Sequence, residues 1–151
     1  MKDTFDDENP RKAWMSLLAK APAGRVGDLL DQHGARPDFT WLRAPEIGST
    51  MVRGRAGATG APFNLGEMTV TRCALTLKSG EVGHAYIQGR RKADVEAAAL
   101  VDALMQTGAA ADIQAAVLAP LATEAPARKS TRAQKAAATK VDFFTMVRGD
   151  D

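Results

Sequence analysis

The sequence predicts an α+β fold: an antiparallel sheet of about four strands packed against helices, with a basic C-terminal arm ending in a short apolar strand. Three observations carry that expectation. Residues 68–77 (MTVTRCALTL) alternate and are rich in β-branched side chains, the pattern of a strand with one buried face. Strand-like runs flank it, one reached through a long glycine-rich connection and one through a short Ser79-Gly80 turn, as antiparallel neighbours require. Outside these runs, residues 11–21 and 93–107 repeat apolar side chains at helical spacing.

The elements follow in order. Residues 1–9 are polar, and Asn9-Pro10 makes a helix start, with Asn9 as N-cap and Pro10 at the first helical position. Trp14, Leu17, Leu18 and Ala21 form its apolar stripe before Pro22 stops it. A second helix, Arg25 to His33, carries Val26, Leu29 and Leu30 and ends at Gly34. Phe39 and Trp41 alternate with polar neighbours in a first strand closed by Pro45, which leaves Glu46 in a turn. Strand two spans Thr50 to Arg55, with Met51, Arg53 and Arg55 on one face, opposite Val52 and Gly54. A glycine-rich loop runs to about Gly66, strand three covers Met68 to Leu77, and strand four covers Val82 to Gln88. The longest helix, Ala93 to Thr107, presents Val95, Ala98, Val101 or Leu100, and Leu104 with Met105. A further helix from Asp112 to Leu118 is interrupted at Pro120.

A chain of 151 residues suits a single core, here a domain over 1–124 followed by a basic linker and docking arm over 125–151. The net charge of +2 hides an asymmetry, because residues 125–140 hold Arg128, Lys129, Arg132, Lys135 and Lys140 with no acid. The apolar VDFFTMV (Val141 to Val147) follows. Such an arm docks on another chain or returns as an edge strand to its own sheet, and both readings stay open.

Composition excludes several classes. The single cysteine, Cys73, allows no intrachain disulfide, and His33 and His84 join no cluster of metal-ligand spacing, so no metal is expected. No run of about 18 apolar residues is present, and the acidic N-terminus lacks the apolar stretch of a secretory signal. The expectation is a soluble cytoplasmic protein with no membrane partner.

Candidate chemistry concentrates between Met51 and Arg72 (MVRGRAGATGAPFNLGEMTVTR). Arginines supply forked, permanent cations, and glycines let a backbone come close to a ligand or neighbour. An anion site and a subunit contact explain the pattern equally well. The stretch contains neither a P-loop nor a dinucleotide-binding glycine motif. Cys73 falls mid-strand, no serine sits in a nucleophile elbow, and Glu46 and Glu67 form no recognisable acid–base pair. His84 is a proton carrier or a structural histidine. The candidates for substrate or partner binding are Arg53, Arg55, Asn64, Glu67, Arg72 and His84, and no catalytic set can be named. The basic tail lacks interleaved aromatics, so nucleic-acid binding has no support beyond charge.

Several blocks together resemble a known family. These are RKAWMSLLAKA, LRAPEIGSTMVRGRAGATGAPFNLGEMTVTRCALTL, GEVGHAYIQGR, ALVDALMQ and the terminal VDFFTMVRG, spanning Arg11 to Gly149. They resemble the G-subunit (PhnG) family of the bacterial carbon–phosphorus lyase core complex. The resemblance implies partners: the H, I and J subunits, with an ATP-binding-cassette-like K subunit joining indirectly. It also implies a reaction in which the G, H and I subunits together displace adenine from ATP by an alkylphosphonate, giving a ribose 1-alkylphosphonate 5-triphosphate. In that family the I subunit carries the nucleosidase chemistry and the J subunit later cleaves the C–P bond. This chain would then assist, binding no cofactor by itself, with ATP a substrate of the assembly. The competing expectation is a stand-alone nucleotide- or RNA-binding module built on the arginine-flanked loop.

Overall fold

The computed structural model describes residues 9–141. Strands β1 (Phe39–Arg55), β2 (Pro62–Leu77) and β3 (Val82–Gln88) form one antiparallel meander in the order β1-β2-β3. The sheet thus has three strands where about four were expected, because the first two expected strands are one. Register shifts between Trp41 and Arg43 and between Arg43 and Glu46 carry the chain past Pro45 without ending the strand. β1 is an edge strand, where bulges and a proline's missing N–H are tolerated. Glu46 consequently sits within the strand and not in a turn. At the other end, β2 begins at Pro62, so the glycine-rich connection closes at Ala61 and not near Gly66.

Helix α1 (Pro10–Ala19) starts as its sequence dictates: Asn9 Oδ1 accepts from the Arg11 amide at 3.1 Å. Helix α2 (Arg25–His33) stops at Gly34, whose φ of 156° few other residues adopt. Helix α3 (Lys92–Leu104) lies against the sheet, with α1 and α2 packed on it. Instead of one apolar stripe, it buries Val95 and every residue from Ala97 to Ala103, as a helix enclosed on all sides must. Its alanines permit close approach to the sheet. A Cβ placed on Gly83 of β3 would lie 1.9 Å from the Ala99 carbonyl oxygen.

After the short α4 (Ala110–Ile113), a π-helical turn over Gln114–Leu118 leads directly into α5 (Ala119–Ala138). Pro120 does not interrupt the helical path. It is the second residue of α5, at the junction with the π-helical turn, where the backbone hydrogen-bond pattern already changes. Ile113, Val117, Leu118 and Leu121 of this segment are buried against the body. The basic residues 125–138 continue the same helix, so position 124 falls within α5. The expected terminal strand lies outside the described residues except for Val141.

Candidate functional site

The six candidate residues fall in three places. β3 pairs with β2 only from Val70 to Thr76, whereas β1 pairs with β2 from Leu77 out to Pro62. The distal half of the β1–β2 hairpin is therefore a two-stranded ribbon. Eight residues of β2 at about 3.4 Å each carry it about 27 Å beyond the third strand. Here Arg53 faces Asn64 across the ladder and Met51 faces Glu67. Arg55 donates to the Gly60 carbonyl at 3.1 Å, bracing the turn through Gly57 and Ala58, both of which take positive φ. Arg53 and Glu67 have no charged partner among the described residues. Leu65 lies over Gly54, where the missing side chain leaves room for it. Large apolar side chains remain in solvent on the ribbon: Met51 is 48%, Phe63 45% and Leu65 62% exposed. An isolated two-stranded ribbon is marginal in water, and clustered exposed apolar groups mark contact surfaces.

Arg72 sits elsewhere. It is eight positions from Asn64 along β2, about 27 Å in an extended strand, and its neighbours across the sheet are Glu46 and Tyr86. Its Nε donates to Glu46 Oε1 at 2.6 Å, and Arg43 donates to the same oxygen at 2.5 Å. These two hydrogen bonds, Arg43 first, hold the Glu46 carboxyl below its ordinary value. The three arginines thus do not converge on one point in this chain.

His84 lies on β3 and lines a cleft of about 470 Å³ between that strand and α1, together with Arg11, Lys12, Met15, Ser16 and Tyr86. Its backbone amide, not its ring, makes the notable contact: it donates at 2.9 Å to Asp102 Oδ2. Asp102, fully buried on α3, also accepts from Arg11 Nε at 3.1 Å, Arg11 Nη2 at 2.8 Å and Trp14 Nε1 at 2.9 Å. Arg11 in turn donates to the Val82 carbonyl. One carboxylate therefore ties α1 and the free edge of β3 to the central helix. Sequence reasoning missed this residue, although its signal was present: a lone acid within the apolar run ALVDAL.

Cys73 is buried, with Sγ 3.3 Å from the Val95 carbonyl oxygen, and burial pushes its thiol up to about 12. No group of three or more His, Cys, Asp or Glu among the described residues could hold a metal. Also among the described residues, no helix is long and apolar enough to cross a membrane.

Fold and ribbon together define an α+β module with a projecting two-stranded ribbon. The family model described as phosphonate metabolism protein PhnG matches residues 9–149. The chain is also similar to the alpha-D-ribose 1-methylphosphonate 5-triphosphate synthase subunit PhnG of Rhizobium meliloti (strain 1021). The two are 43% identical over 150 residues, which cover 98% of this chain and 96% of that protein. The chain belongs to the PhnG family of phosphonate metabolism proteins.

Proposed function

We propose that this chain is an assisting subunit of a ribose 1-alkylphosphonate 5-triphosphate synthase complex in alkylphosphonate utilisation, assembled with H, I and J subunits in the cytoplasm, with a K subunit joining indirectly. In the proposed reaction a phosphonate oxygen attacks C1′ of ATP. The C1′–N9 bond breaks, the C1′–O bond forms, and adenine leaves with the proton at N9. The reacting groups belong to a sister subunit, and ATP is a substrate of the assembly.

The single observation that carries this reading is the ribbon. Its exposed Phe63 and Leu65 lie on the Gly54 face and Met51, Arg53 and Arg55 on the opposite one, so the ribbon offers an apolar face and a cationic face to a partner that grips it from both sides. Asn64 and Glu67 lie on the same ribbon and add hydrogen-bonding groups to that contact. Arg72 and His84 stand apart as candidates for contacts on the body. The full-length relative named as a synthase subunit supports the same reading.

The test is co-purification from a host grown on an alkylphosphonate as sole phosphorus source. The tagged chain is expected to elute with sister subunits, and Phe63→Asp with Leu65→Asp to elute alone while remaining folded. Removal of residues 142–151 is expected to weaken the assembly. Elution of the unaltered chain as a monomer or homodimer would overturn the proposal.

A further inference from the structure

A second feature lies on the body, away from the ribbon. The end of α1, the β3–α3 connection and the middle of α5 enclose a cleft of about 510 Å³ lined by Lys20, Gln88, Arg91, Arg128, Lys129 and Arg132. Local rules explain why these residues meet. Gly89 takes φ 90° and turns the chain out of β3. Buried Thr71 clamps that turn by donating to the Gly89 carbonyl at 2.5 Å and accepting from the Arg91 amide at 2.9 Å. Arg91 is then held from behind: its Nε donates to Asp94 at 2.8 Å and its Nη2 to the Ala21 carbonyl at 3.1 Å. On α5, Leu121 is buried and Glu124 accepts from Arg25 at 2.6 Å, which fixes the helix rotation. Positions 125, 128, 129 and 132 share the face so defined, because residues three and four apart are neighbours on a helix.

The outcome is five cations in one concavity, with only Asp94 and Glu124 behind them among the described residues. Lys20, Lys129 and Arg132 have no ion pair among the described residues. Arg128 Nη1 is enclosed, makes no hydrogen bond there, and lies 3.6 Å from Glu124 Oε2. Arg128 and Arg132 are moreover a like-charge pair one turn apart, which disfavours the helix unless an anion offsets it. Fixed guanidinium forks beside mobile ammonium groups suit the oxygens of a phosphate chain.

We propose that this cleft is an anion site that takes the oligophosphate chain of a phosphorylated ligand. It is independent of the ribbon and does not require the assembly. The experiment is titration calorimetry of the full-length chain with inorganic tripolyphosphate and, separately, with ATP. Tripolyphosphate is expected to bind once per chain and more weakly as salt rises. Lys129→Ala with Arg132→Ala should reduce its affinity by about a hundredfold, since each lost charge-assisted contact is worth about one decade. Lys20→Ala should give a smaller loss in the same direction, and Arg53→Ala with Arg55→Ala none. ATP binding equal to tripolyphosphate would show that only the phosphates are read, and tighter binding would show that the nucleoside is read too. Absence of binding, several equivalents per chain, or equal losses from the ribbon and cleft variants would each overturn the proposal.

Discussion

At the scale of the residue, Asp102 decides most. A fully buried carboxylate is retained only when its lone pairs are filled, and here Arg11, Trp14 and the His84 amide fill them. Asp102→Ala would leave the Arg11 guanidinium without its partner and is expected to cost about 3–5 kcal/mol in urea denaturation. Asp102→Asn, which keeps an acceptor, should fall between that variant and the wild type. Glu124 sets a different dependence. Hydrogen bonds from Arg25 hold its carboxyl below the ordinary value of 4.5. A folded-state value depressed in this way contributes stability that is present above the ordinary value and is lost as the pH falls through the depressed one. Amide protection along α5 is therefore expected to hold near neutrality and to drop as the pH falls below the ordinary carboxylate range and through the depressed value. Protection factors measured by hydrogen exchange at the two conditions would check it. The sequence announced Asn9, Gly34 and Cys73 because their roles are local. It marked Asp102 as an acid in an apolar run but concealed its partners and those of Glu124, which stand 91 and 99 residues away.

At the scale of the element, the contact between β3 and α3 is the tightest in the body. Gly83→Ala drives a methyl group into the backbone of α3, which cannot move without opening the alanine layer behind it. The expected loss is about 3 kcal/mol, read from the shift of the urea midpoint at constant slope. Ala99→Gly would not relieve it, since the obstruction is a carbonyl oxygen. Helix α2 and residues 68–77 of β2 were legible from helical spacing and β-branched alternation, whereas residues 62–67 of β2 were not, because their proline and glycine signal a loop. β1 was not, because Pro45 signals an end that an edge strand can absorb in a bulge. Nor was the path from α4 into α5, where Pro120 has the same letter whether it breaks a helix or sits at a junction along one. The basic stretch after Ala125 could be seen as charged and alanine-rich. That its cations would line one side of a cleft depended on the π-turn and the Arg25–Glu124 pair, neither of which leaves a pattern in the sequence.

At the scale of the whole molecule, two regions differ in self-sufficiency. The body encloses its central helix and satisfies its buried acid, while among the described residues the ribbon has no third strand and no helix behind it. The candidate residues separated accordingly, with Arg53, Arg55, Asn64 and Glu67 on the ribbon and Arg72 and His84 on the body. Phe63→Asp with Leu65→Asp is thus expected to leave the melting temperature of the isolated chain nearly unchanged, as exposed substitutions do. In the co-purification described above, the same change is expected to remove the sister subunits. The ribbon also has a consequence for the lifetime of the protein. A copy that has not met its partner presents the Gly57–Gly60 tip and its apolar flanks to proteases, which act on segments of low local stability. Synthesis of this chain in excess would then be corrected by degradation, and its steady-state level would follow the abundance of its partner.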